Sequence, residues 1–391
     1  MPRPRLEVAG IIRTHGADFE RAFGKVSPTR QGVLRDLAAC RTVALGGHQE
    51  RCPDCGFEQN AYDSCRNRDC PKCQASASAK WLEARQADLL LVEYFHVVFT
   101  LPEELGVIAL QNKQKLHALL FSASAATLKQ IAADPKHLGA ELGFVSVLHT
   151  WGQNLHHHPH VHCVVSGGGL SEDGDEWVSC PRSFFLPVRV LAPVFRGKFL
   201  SGLLQAYAAG RLTFQGSLAA MTDPATFHAL VQRVRAKPWV VYAKPPFGGP
   251  EHVLKYLARY THRVAISNRR LVSLEDGRVR FRAKDHASGG RHQILELDAV
   301  EFLRRFLLHT LPQRFPRIRH FGFLANRCRA RKLEHCRTLL GAAPPEKMAA
   351  TDRGVQAERL CPKCGQGRLV RVGRVRPASG RTPKPATLDS S

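Results

Sequence analysis

Between residues 48 and 74 the chain carries five cysteines in a stretch rich in Asn, Arg and Asp and poor in apolar side chains. Such a segment has too little apolar surface to offset the entropy of ordering it, so it needs a metal to fold. Cys52-Pro-Asp-Cys55 and Cys70-Pro-Lys-Cys73 are CxxC turns separated by 14 residues. Each CxxC sets two thiolates on one side of a tight turn, and two such turns complete a tetrahedron around Zn²⁺. The spacing therefore predicts a structural zinc site of Cys52, Cys55, Cys70 and Cys73, with Cys65 and His48 as spare donors that could replace one of them. A further Cys361-Pro-Lys-Cys364 has no second CxxC after it; either Cys328 and Cys336 complete a second site, or the pair are free thiols. The N-terminus, Met1-Pro-Arg-Pro-Arg5, has no apolar leader, and twelve cysteines in an unsecreted chain point to metal rather than disulfides.

Charge narrows the partner. Lys and Arg number 57 against 33 Asp and Glu, a formal net charge of +24. An excess of that size calls for a polyanion, either nucleic acid or a membrane surface. The longest apolar candidate, Leu89 to Phe99, is interrupted by Glu93 and His96 and falls short of the roughly 18 residues that a membrane span needs. Nucleic acid is the partner expected, with no membrane association. The 391 residues suggest two or three units, and 44% hydrophobic residues suffice for a real core.

Periodicity gives the order of elements. A helix is expected over 76–94, a strand over 95–101 ending at Pro102, a long helix over 103–133, strands at 144–151 and 156–166, and a short strand at 176–178. Helices at 190–209 and 223–236, a strand at 239–243, a helix at 251–260 and a hairpin of 271–274 with 278–282 follow. A basic helix past Arg327 leads to a tail, disordered from about 371 to 391. This is an α+β pattern.

His156-His-His-Pro-His-Val-His162 has five histidines in seven residues. Strand alternation puts His158, His160 and His162 on one face and Val161 and Cys163 on the other. Two imidazoles at i and i+2 can share one divalent ion and leave coordination positions for a substrate oxygen. Downstream, Lys255-Tyr-Leu-Ala-Arg-Tyr-Thr-His262 places Tyr256 and Tyr260 on one helix face, with Lys255, Arg259 and Arg263 nearby. A phenol ionises near pH 10, so a nucleophilic tyrosine needs such cations or a metal. Ordinary readings stand beside these: hydrogen-bonded sheet histidines, and an amphipathic helix with two half-buried tyrosines.

Together the HUH motif (His, hydrophobic, His) and the later Tyr-x-x-x-Tyr resemble the rolling-circle insertion-sequence transposases called IS-ninety-one. The likeness runs from about residue 30 to 340, through Ser64-Cys-Arg-Asn-Arg-Asp-Cys-Pro-Lys-Cys73, Leu148-His-Thr-Trp-Gly-Gln-Asn-Leu155 and Tyr256-Leu-Ala-Arg-Tyr-Thr-His-Arg263. It implies a zinc-binding and DNA-binding domain at 1–94, an HUH catalytic domain of antiparallel sheet and packed helices at 95–325, and a basic C-terminal region at 326–391. It implies Mg²⁺ or Mn²⁺ on His160 and His162 with a third ligand that the motif does not name, and Tyr256 and Tyr260 as nucleophiles that form a 5′-phosphotyrosine; strand parity puts the third ligand at His158, with Gln153 as rival. Arg66, Arg68, Lys255, Arg259 and Arg263 are the expected DNA contacts. Single-stranded DNA at transposon ends, target DNA and host replication proteins would be the partners, in the bacterial cytoplasm at the nucleoid. Two rivals remain: an HUH replication initiator or relaxase, and a zinc-dependent DNA-binding protein without activity. The first has no helicase-like P-loop here, and the second leaves the histidines unexplained.

Overall fold

The structure, a computed structural model, describes residues 6–74, 88–181, 185–244, 264–285, 290–342 and 360–378. At the N-terminus α1 (Val8–Phe23) buries Val8, Ile11, Ile12 and Phe19 along one face, and Gly24, with φ of 67°, ends it. Pro28 opens α2 (Pro28–Ala39), where its missing N–H and fixed φ suit a first turn. A hairpin follows, β1 (Gly47–Arg51) paired with β2 (Glu58–Tyr62).

The strand β3 (Tyr94–Thr100) stops before Pro102. The single helical pattern beyond it divides into α3 (Glu103–Gln111) and α4 (Lys113–Ala133). The break is at Asn112, whose side-chain amide donates to the carbonyls of Ile108 and Thr213 and accepts from the Thr213 N–H. Asn is a weak helix former that competes for backbone groups, and here that competition wins. Next come β4 (Glu141–Trp151), β5 (His157–Leu170), β6 (Trp177–Ser179), α5 (Val188–Ala208), α6 (Pro224–Ala236) and β7 (Val241–Lys244). A three-stranded unit, β8 (Leu271–Glu275), β9 (Arg278–Asp285) and β10 (Arg291–Asp298), leads into α7 (Ala299–Leu308), which Asp298 caps through the N–H groups of Val300 and Glu301. Then β11 (Ile318–Gly322), α8 (Arg329–Leu339) and β12 (Val370–Val375) complete the described α-helices and strands.

The main sheet has the order β11-β4-β5-β3-β7, with β6 beside β5, and every pairing is antiparallel. Phe144, Leu148, Val161, Cys163, Val165, Val97 and Phe99 point to one face and meet Leu120 and Phe121 of α4 and Phe195 and Phe199 of α5. Each fully buried side chain of this size contributes roughly 1.5–3 kcal/mol, so this layer fixes which face of the sheet is inside. On the opposite face Val145 and Val147 pack at one end against Ile318, Phe323 and Leu333. A second core joins α1 and α2 to Phe302, Leu303 and Phe306 of α7, to Val279 and Phe281 of β9, and to Trp151 and Leu155 in the β4–β5 region.

This is the mixed architecture of antiparallel sheets and helices that the sequence pattern predicts. Two local expectations fail. Residues 88–93 of the helix expected over 76–94 form a turn in which the Leu90 N–H donates to the Tyr94 hydroxyl, while 75–87 lie outside the described residues. Residues 370–375 of the tail form a strand, because β12 finds a partner in β1. The helix expected at 251–260 also lies outside the described residues. Among the described residues no helix is long and apolar enough to cross a membrane.

Gly322 has φ of 63°, and a Cβ there would come 1.6 Å from the Leu142 carbonyl oxygen. Gly322→Ala should therefore lower stability by about 2 kcal/mol or more. Urea denaturation of the full chain reads this directly, and an unchanged midpoint would show that β11 is not held against β4 as described.

Candidate metal centres and active site

Because Val161 and Cys163 are sunk in the main core, alternation turns His160 and His162 to the other face of β5. The antiparallel register sets His149 of β4 directly opposite His160. Ligand nitrogens of His149, His160 and His162 lie within 4.8 Å of one another, the one group of three histidines among the described residues that could hold a metal. His149 is buried. The His160 Nδ1 lies 2.7 Å from the backbone carbonyl of His158; a carbonyl can only accept, so Nδ1 carries the proton and Nε2 the lone pair. The His162 Nδ1 sits 2.8 Å from the Nε2 of His96 on β3, the two rings stacked within 6° of parallel. Burial, helped by Lys244 and His160, depresses the His96 pKa to about 3, so this neighbour is a neutral imidazole.

His158 is not part of the group. The register passes from His149↔His160 to Trp151↔His157, two residues on β4 against three on β5, so a bulge interrupts the alternation. The His158 side chain is exposed; its carbonyl accepts from the His160 ring, and its own ring lies 5.4 Å from that of His160, centroid to centroid. His149, on the adjacent strand, is the third member of the group. Gln153 lies in the β4–β5 turn, where its carbonyl accepts from Arg270 at 2.5 Å.

The cysteines also regroup. Cys52 and Cys55 do not join Cys70 and Cys73; one group is Cys40, Cys65, Cys70 and Cys73, and the other is Cys52, Cys55, Cys361 and Cys364. Cys52 and Cys55 sit at the tip of the β1–β2 hairpin, whereas Cys65 follows its base. A five-residue strand at about 3.3 Å per residue keeps the two ends roughly 17 Å apart. In the first group Cys40 to Cys73 is 3.7 Å, Cys70 to Cys40 3.7 Å and Cys65 to Cys73 3.6 Å. Four thiolates at about 2.3 Å from a tetrahedral zinc stand about 3.8 Å apart, so the set fits the ion. Cys65, a spare donor on sequence grounds, is a full member, and Cys40 at the end of α2 was missed because it belongs to no CxxC. Cys328 and Cys336 belong to neither group; Cys336 is buried against Leu333.

Of the basic residues expected to touch DNA, Arg66 is exposed. Arg68 is spent differently: its guanidinium donates to the carbonyls of Phe315 and Pro312 at 2.8 and 2.7 Å. Beside it Asp69 pairs with the buried Arg317 at 3.3 Å. These bonds dock the cysteine loop onto the segment leading to β11. Tyr256, Tyr260, Lys255, Arg259 and Arg263 lie outside the described residues.

Two family descriptions match the chain: "Transposase zinc-binding domain" over residues 11–101, which spans Cys40 to Cys73, and "Putative transposase" over 143–332, which spans the histidines. The chain is similar to "Putative transposase y4qJ" of Sinorhizobium fredii, at 51% identity covering 95% of this chain and 96% of the relative. It is also similar to "Transposase for insertion sequence element IS801" of Pseudomonas savastanoi pv. phaseolicola, at 30% identity over 76% of this chain and 72% of the relative. The chain belongs to the IS-ninety-one family of transposases. No solved structure matches it. As a transposase it acts on DNA, in keeping with the +24 charge, and its zinc-binding domain with the cysteine groups supports structural zinc.

The transposase should bind a divalent cation through His149 and not through the His158 ring. Calorimetric titration with Mn²⁺ is expected to show affinity falling in His149→Ala by more than the roughly ten- to a hundredfold that loss of an outer-shell partner costs, and staying near wild type in His158→Ala. The reverse ranking would restore His158 as the ligand.

Proposed function

We propose that this transposase nicks and rejoins single-stranded DNA at its element's ends through a 5′-phosphotyrosine, as rolling-circle transposition requires. The observation that carries the reading is the convergence of His149, His160 and His162 on one sheet face, with His158 and His96 fixing two of the rings. Three imidazole nitrogens fit a divalent cation, and being softer than carboxylates they favour Mn²⁺ over Mg²⁺. Such an ion would polarise the scissile phosphate and steady the charge of its transition state.

The protein's own residues supply the rest. The His158 carbonyl keeps the proton on His160 Nδ1, so Nε2 stays a donor without reorganisation. The neutral His96 can accept a proton shared from His162 Nδ1 and leaves Nε2 of that ring to the cation. Tyr256 or Tyr260, within the matched residues 143–332, would attack phosphorus in line. The bond from phosphorus to the tyrosine oxygen forms as the bond to the 3′ oxygen breaks, and the departing oxygen takes a proton to become a free 3′-OH. The phosphodiester count is unchanged, so the reverse attack rejoins DNA without ATP. A second tyrosine permits a second cleavage before the first adduct is resolved. Lys255, Arg259, Arg263 and Arg66 would hold the strand's phosphates, and host replication proteins would refill the displaced strand at the nucleoid. A replication initiator or relaxase would use the same chemistry, but the zinc-binding domain and both relatives favour the transposase reading.

Incubation with Mn²⁺ and single-stranded oligonucleotides carrying the element ends should give a denaturation-resistant protein–DNA band. His160→Ala should reduce it at least about a hundredfold, and the double Tyr256→Phe, Tyr260→Phe variant should abolish it. Each single Phe variant reports whether that tyrosine is required. No band from the wild type on its cognate ends would leave a DNA-binding protein without this activity.

A further inference from the structure

We infer that Cys52, Cys55, Cys361 and Cys364 form a second zinc site that clasps the C-terminal strand onto the N-terminal module. This inference is independent of the strand-transfer chemistry, and the matched zinc-binding domain ends at residue 101, far short of Cys361.

The two halves are built alike. Both read Cys-Pro-x-Cys-Gly, at 52–56 and 361–365. The Gly56 N–H donates to the Cys52 carbonyl at 2.9 Å, and the Gly365 N–H to the Cys361 carbonyl at 2.9 Å. The Cys52 N–H donates to the Phe57 carbonyl at 2.8 Å and the Cys361 N–H to the Gly367 carbonyl at 2.7 Å. Gly56 and Gly365 take φ of 69° and 71°, a left-handed turn that glycine adopts freely. Two copies of one thiolate turn thus face each other across 306 residues of chain.

Their sulfurs meet at zinc spacing. Cys52 to Cys364 is 3.8 Å and Cys55 to Cys361 is 3.6 Å, near the roughly 3.8 Å edge of a tetrathiolate zinc centre and far beyond the roughly 2.05 Å of a disulfide. Backbone N–H groups of Lys363 and Gly367 point at the sulfurs of Cys361 and Cys364, at 3.4 and 3.3 Å, which favours the thiolate form that zinc needs. A Cβ on Gly367 would lie 2.4 Å from the Cys52 sulfur, so the close approach depends on that glycine. From the site β12 runs antiparallel along β1, pairing Val370 with Arg51 and Val375 with Gly47. The short hairpin β1–β2 therefore becomes a three-stranded sheet only when the C-terminal segment is in place.

By elemental mass spectrometry C361S/C364S, purified under reducing conditions, should hold one zinc ion fewer than the full chain, whatever ion the histidine group holds. Equal zinc content in the two would overturn the site. A second test keeps all the cysteines: a specific protease sequence is inserted between 345 and 355 and cut. With zinc present the C-terminal fragment should co-elute with the body, and it should be released by a zinc chelator but not by reductant alone. Loss of the fragment with zinc present, its retention after both ions are stripped, or its release by reductant alone (a disulfide) would each refute the clasp.

Discussion

The pairing of β4 with β5 depends on a layer of apolar side chains that admits one register. Val161, Cys163 and Val165 lie against Phe144, Leu148 and the helices α4 and α5. A slip by one residue would drive the imidazoles into that core and expose the apolar set, so burial of one face dictates the chemistry of the other. The same pairing sets His149 opposite His160 and carries Trp151 and Leu155 to the second core. Through that core the position of the histidines is tied to α1, α2 and α7, and thus to the zinc module.

What the sequence reveals follows from the range of the interaction involved. The face of His160 and His162 was legible because strand parity is local. His149 was not, although it lies in the Leu148–Leu155 stretch that carries part of the family likeness, since naming it required the register across a turn and the bulge at the β5 start. The bulge is also why parity grouped His158 with His160 and His162, where the structure groups His149 with them. Likewise the need for zinc was legible from polar composition and CxxC spacing, but the grouping of ligands was not. One signal was present: glycine follows the second cysteine at Gly56 and Gly365, whereas Gln74 follows Cys73 and belongs to a helical turn. The turn chemistry therefore paired Cys55 with the distant motif and set the nearer one apart.

Arg68 and Asp69 show a second limit of composition. A basic, polar loop between metal ligands has the character of a phosphate contact, yet Arg68 donates to two backbone carbonyls and Asp69 neutralises Arg317. The Pro312 carbonyl also accepts from the Phe315 N–H, so Arg68 ties both ends of that turn to the cysteine loop. Charge is thus divided between joining the parts of the protein and meeting the DNA, and the total of +24 overstates what is available to a substrate.

The twin thiolate turns also impose an order in time. Ribosomes deliver Cys52 and Cys55 early, but Cys361 and Cys364 emerge only after the histidine sheet has been synthesised. The first cysteine group can close as soon as Cys73 is free, while the β1–β2 hairpin tip must wait for about three hundred further residues. A nascent or prematurely terminated chain would therefore present two reduced thiols at that tip. Arrival of the Cys361–Cys364 segment is itself written into the sulfur chemistry of the N-terminal hairpin.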